Sequence, residues 1–137
     1  MDVVLQSFAA GFPVLMLHLL VTLAMLAGGV VLYTITTPHK DFALVREGNL
    51  AAAISLAGAI LGLAIPLAFC MASSVSVAEI VIWGVLAVFV QILVFRLSDL
   101  LLRDLSSRIE SGEMAAAVLL AGIKLSVAAV NAAAFSG

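Results

Sequence analysis

Residues 47–58 read EGNLAAAISLAG, and residues 111–122, 64 positions further on, read SGEMAAAVLLAG. Seven of the twelve positions are identical, and Leu50/Met114 and Ile54/Val118 are conservative exchanges. A run of alanine and glycine written twice in 137 residues points to two copies of one structural unit. Each copy follows a charged segment and opens a long apolar block.

The composition says where such blocks can live. The chain is 65% hydrophobic and 10% charged, whereas soluble domains carry about 25% charged residues. Its mean hydropathy is +1.32. Apolar blocks at about 8–35, 50–71, 77–97 and 114–135 approach or exceed the ~20 residues that cross a hydrocarbon core about 30 Å thick. The expectation is an all-α, integral membrane four-helix bundle, with 1–137 as a single membrane domain. The opening MDVVLQSFAAGF has no Lys or Arg, unlike the positive start of a signal peptide, so it reads as a retained helix. Cys70 is the only cysteine, which excludes a disulfide within the chain.

The period of 64 residues spans one down-and-up helix pair, so the internal repeats fall at about 8–71 and 77–135, as two helical hairpins in the same orientation. Parallel repeats of this kind are related by an axis along the membrane normal. The likeness rests mainly on the second and fourth helices, since His18 falls opposite Ile82 and Tyr33 opposite Leu97. Gly58 and Gly62 form a GxxxG, and Gly122 and Ser126 hold the matching positions. Helices in lipid associate by close packing, which small residues permit. These four residues are therefore expected in a packing seam, either between the second and fourth helices or in a dimer interface. Asn49 and Ser111 are candidate N-caps for the helices that follow them.

Of six cations, Lys40, Arg46, Arg96, Arg103 and Arg108 lie in or beside the connections 36–49 and 98–113. Lys and Arg set topology; both connections are expected in the cytoplasm and both termini in the periplasm. The connection TPHKDFALVREGN keeps Phe42 and Leu44–Val45 exposed unless they meet the membrane surface or a cytoplasmic protein partner.

The sixth cation, Lys124, lies roughly 16 Å into the fourth helix at about 1.5 Å per residue. Placing a cation near the midplane costs about 2.5 to 17 kcal/mol by differing estimates, so a partner or a wet cavity is expected. Glu113, Lys124 and Asn131 share one helical line, opposed to Gly122 and Ser126. His18 heads a stripe with Thr22, Met25, Gly29, Tyr33 and Thr36 on the first helix; Gln91 shares a face of the third with Gly84, Ala87 and Ser98. His18, Gln91, Lys124 and Asn131 thus form the candidate intramembrane polar site, readable as an interhelical hydrogen-bond network or as a solute or proton pathway. Pro66 removes a donor from the second helix. Trp83 reads as an interfacial anchor and Glu79 as a solvated acid.

No basic cluster suits nucleic acid, and His18, His39 and Cys70 have no metal-ligand spacing. No motif for nucleophilic catalysis or phosphate binding appears. The expectations are no catalytic residue, no metal, no cofactor and no enzymatic activity.

The run TITTPHKDFALVREGNLAAAISLAGAILGLAIPLA, residues 34–68, resembles the YjfL-like family of small bacterial inner-membrane proteins, which have a duplicated two-helix domain of unknown function. The likeness is carried by Thr37–Pro38, Asp41, the EGNLAAA from Glu47 and Pro66; VNAAA from Val130 resembles the close of the family's fourth helix. The resemblance implies the bacterial inner membrane and four helices, and brings no activity. Two functions stay open: a small ion or solute conduit built as a homo-oligomer in membrane lipid, or a scaffold or accessory subunit recruiting a partner through its cytoplasmic loops.

Overall fold

The computed structural model describes residues 2–36 and 41–136. Thr37, Pro38, His39 and Lys40, used above for the resemblance and the charge bias, lie outside them. The described residues form six helices in the order α1 (Asp2–Thr36), α2 (Asp41–Arg46), α3 (Leu50–Ser73), α4 (Val77–Leu101), α5 (Arg103–Glu110) and α6 (Met114–Ser136). No strand occurs among them. The four long helices, α1, α3, α4 and α6, are each long and apolar enough to cross a membrane. The protein is an all-α membrane bundle.

α3 is its centre. Over its most apolar stretch 56% of residues are buried, against 11% in α1, so α3 faces protein where α1 mostly faces outward. α3 packs most extensively on α6, and α1 lies against α4 and α3. The close α3–α6 approach follows from the repeated alanines: Ala51, Ala52, Ala116 and Ala117 are all buried in one cluster with Leu120. At Gly58 an added Cβ would lie 2.7 Å from Ala121 Cβ and 2.9 Å from Ala121 Cα, so the two backbones nearly touch there. Gly62 is equally confined, by the Phe95 ring at 2.6 Å and the Lys124 carbonyl at 3.5 Å.

Gly122 and Ser126 are placed differently. Both are exposed, and a Cβ on Gly122 would meet nothing within 4 Å. α6 has two opposed faces, and only one can meet α3. The face with Ala117, Lys124 and Ala128 is buried, which turns the Gly122 face outward. Within the chain, then, the seam is Gly58 and Gly62 of α3 against alanine and aromatic surface, without Gly122 or Ser126. The reason is the ammonium: leaving Lys124 among acyl chains costs more than giving up one small-residue contact.

The two connections contain short helices that their charge had disguised. In α5, Leu105 and Ile109 lie one turn apart on the same face, and both are buried against the alanine cluster. Leu44 and Val45 of α2 pack partly onto it, while Phe42 stays 47% exposed. Each short helix ends in a glycine with positive φ, Gly48 at 87° and Gly112 at 88°. The surrounding hydrogen bonds match: Gly48 N to Val45 O and Asn49 N to Leu44 O, then Gly112 N to Ile109 O and Glu113 N to Arg108 O. This is the glycine-terminated helix end in which the left-handed residue satisfies carbonyls the helix leaves open.

Asn49 caps α3, its side chain accepting from Ala52 N. Its amide also donates to Ile109 O and Glu110 O at 3.2 and 3.0 Å, tying the start of α3 to the end of α5. Ser111 is not the cap of α6. It closes α5, donating to Arg108 O, because the turn through Gly112 puts Glu113, not Ser111, in the place Asn49 holds. Glu113 is paired instead with the Arg108 guanidinium; that hydrogen bonding holds its carboxyl below the usual carboxylate range. Replacing Asn49 by Ala should cost about 1 kcal/mol for the lost cap. The loss of its two bonds to α5 should raise this to about 2 kcal/mol, checked by the midpoint of thermal unfolding in detergent.

A candidate site: the buried charges between four helices

Lys124 of α6 is buried at 1% exposure. A helical side chain leans toward its helix's N-terminus, so the long stem carries the ammonium back toward the α2/α5 end of the bundle. There it meets the end of α1 and the end of α4. Lys124 Nζ donates to Tyr33 Oη and lies 3.5 Å from Asp99 Oδ1. It also stands 4.6 Å from the centroid of the Tyr33 ring and 5.3 Å from that of Phe95, within the ~6 Å of a cation–π contact. The two rings meet edge to face at 5.7 Å. Gly62 is what lets Phe95 in, as no side chain there could share the space.

Two carboxylates act on this ammonium. Asp99 is the stronger, and Asp41, buried at the start of α2, adds to it. Arg96 Nη1 reaches Asp99 Oδ2 at 3.5 Å from a partly exposed position. The Lys124–Asp99 separation exceeds the ~2.7–2.9 Å of a tight charge-assisted bond, and Asp99 Oδ1 accepts no hydrogen bond among the described residues. At 3.5 Å and an effective dielectric of ~20 the attraction is about 5 kcal/mol. Burying each ion costs several kcal/mol, so the pair brings the fold little or no net stability.

A second polar contact lies further along the same face of α6. Asn131 Nδ2 donates to Gln91 Oε1 at 2.8 Å. Gln91 is fully buried, and its Nε2 has no hydrogen-bond partner among the described residues. Of the four residues singled out from sequence, the fold therefore joins Gln91 with Asn131 and sets Lys124 in a separate cluster nearer the α2/α5 end. His18 joins neither. It is half-buried, and its recorded hydrogen bond is that of its carbonyl, which accepts from Thr22 Oγ1 at 2.7 Å. Fifteen positions separate His18 from Tyr33, about 22 Å along a helix, while the Lys124 side chain points away from it.

Asp99, Tyr33, Phe95, Arg96 and Asp41 complete the cluster. Ending the third span at residue 97 left Asp99 outside it. Continued, the stripe runs Gly84, Ala87, Gln91, Phe95, Asp99 at helical spacing, and all five are buried. That periodicity was the available signal.

Residues 7–135 match the family model described as Domain of Unknown Function (DUF350). The chain belongs to this family. It is 32% identical over 102 residues to the "UPF0719 inner membrane protein YjfL" of Escherichia coli strain K12, covering 74% of this chain and 77% of that protein. The protein of the same description from E. coli O157:H7 matches with the same identity and coverage. No solved structure matches the chain. Relatives described as inner-membrane proteins and four apolar spanning helices agree in making this a protein of the bacterial inner membrane.

Proposed function

We propose that this DUF350 protein is a conduit for a small ion, working as a homo-oligomer, with Lys124 and Asp99 as the charges that set which ion passes. The observation that carries this reading is a lysine–carboxylate pair in the interior of a membrane bundle, at a separation too long to be a tight structural bond. Ionisable groups inside membrane proteins are expensive and mark ion or proton pathways by default. The Gln91–Asn131 contact extends the polar interior toward the other side. Arg46, Arg96, Arg103 and Arg108 all lie at the α2/α5 end, which by the positive-inside rule supports a cytoplasmic α2/α5 end and periplasmic termini. The matching turns at Gly48 and Gly112 support the duplication of one hairpin. No enzymatic step forms part of this reading.

A second reading, a scaffold that recruits a cytoplasmic protein, is favoured by Phe42, which remains exposed on α2 at the end rich in arginine. Flux from proteoliposomes separates the two. The wild type should exceed empty vesicles. A Lys124→Met/Asp99→Asn double variant, which removes both charges of the pair together, should alter the ratio of cation to anion flux about tenfold or more (about 1.4 kcal/mol). Wild-type flux equal to empty vesicles for all ions tried would leave the scaffold, and loss of a pulled-down protein on Phe42→Ala would support it.

A further inference from the structure

At the opposite end of the bundle from the charged cluster, α3, α4 and α6 enclose a cleft of about 500 Å³ lined by Cys70, Ser73, Ser74, Glu79, Trp83, Leu86, Ala134 and Phe135. The chemistry of its rim is one-sided. Ser73 Oγ donates its proton to Phe69 O at 2.8 Å and Ser74 Oγ donates to Cys70 O at 2.6 Å. Both hydroxyls are thereby left with lone pairs only. Glu79 Oε2 accepts from Val75 N at 3.0 Å, which fixes the carboxylate beside the α3–α4 turn and leaves Oε1 to a ligand. None of the lining residues is Lys or Arg. The rim therefore offers acceptors and one negative charge.

Trp83 and Phe135 form the aromatic corner of the same cleft, their centroids 6.4 Å apart at 74°. Aromatic faces attract cations, so the corner and the carboxylate favour the same kind of guest. Leu86 and Ala134 carry the wall on toward the apolar flank. A group with several N–H donors, a positive charge and an alkyl tail satisfies every part of this lining. An anionic headgroup would meet lone pairs and a carboxylate.

We propose that this cleft binds the primary ammonium group of an amphiphile, held by Glu79 and the two serine oxygens beside Trp83, with its alkyl chain along Leu86. The site is independent of the ion-conduit reading. Trp83 is the only tryptophan, so its emission reports on the cleft directly.

In one arm, dodecylammonium is titrated into the purified protein in a neutral maltoside detergent, with dodecyl sulfate as the comparison. In the other, the protein is placed in phosphatidylcholine vesicles with and without phosphatidylethanolamine. Dodecylammonium should give a saturable change in Trp83 emission, about tenfold weaker in affinity after Glu79→Gln, which keeps an oxygen for Val75 N but removes the charge. The same change on adding phosphatidylethanolamine identifies a lipid headgroup as the source; a change in the detergent arm alone identifies a free amphiphile. An equal response to dodecyl sulfate, an undiminished response in Glu79→Gln, or no saturable response in either arm overturns the proposal.

Discussion

Lys124→Ala should lower the stability of the bundle by about 3–5 kcal/mol, the range seen when one partner of a buried ion pair is removed. The loss does not measure the strength of the pair, which nearly cancels against desolvation. It comes from Asp99, which stays 4% exposed with its buried counter-charge gone and only the partly exposed Arg96, at 3.5 Å on its other oxygen, still beside it. Two further losses add to this. Tyr33 loses the donor to its hydroxyl, and the Tyr33 and Phe95 rings lose the cation between them. Thermal unfolding in detergent should show a fall on the order of 10 °C. Lys124→Met combined with Asp99→Leu should recover most of it, because an apolar pair of similar volume replaces a buried ion pair with little cost. If the single variant melts with the wild type, the ammonium does not occupy the buried position described here.

Gly58→Val should be the next most damaging change, and Gly122→Val, its counterpart in the repeated phrase, should be nearly silent for the packing of the single chain. At position 58 the new Cβ would collide with the Cβ and Cα of Ala121. Main chain cannot rotate aside as a side chain can, so α3 and α6 must separate along their length. Overpacking of this kind costs about 1–3 kcal/mol, and here it falls on the most extensive helix pair. At position 122 there is nothing within 4 Å to strike, and the valine should change stability by no more than about 0.5 kcal/mol. Paired melting curves check both. A Gly122→Val protein that melts normally but loses oligomer mass would place that outer face between copies of the chain.

These two glycines mark where reading the sequence stopped. Apolar block length was enough to find all four spanning helices, because a membrane leaves the chain no other way to satisfy its backbone. The repeated phrase marked α3 and α6 as closely packing helices, side by side or across a dimer interface. It did not say which side of α6 enters that seam, since Gly122 and Lys124 lie on opposed faces and each is a sound reason to face protein. Only the cost of a lipid-facing ammonium decides between them. The partner of Lys124 was hidden for a related reason. A cation deep in its helix directs the search to groups at its own depth such as His18, whereas the side chain travels toward its helix's N-terminus and meets Asp99 and Tyr33 near the ends of α4 and α1. α5 was concealed by its charges, although Leu105 and Ile109 stand one helical turn apart.

Asn49 has a bearing on how the chain is made. Its side-chain amide is bonded to carbonyls 60 and 61 residues later, and translation at about 5–20 residues per second delivers those carbonyls roughly 3–12 s after Asn49 itself. Through that interval α3 and then α4 are synthesised, with the tight face of Gly58 uncovered and the amide unmatched. The early half of the protein must therefore wait, sheltered by lipid or by the insertion machinery, and the last segment to emerge locks the first pair in place.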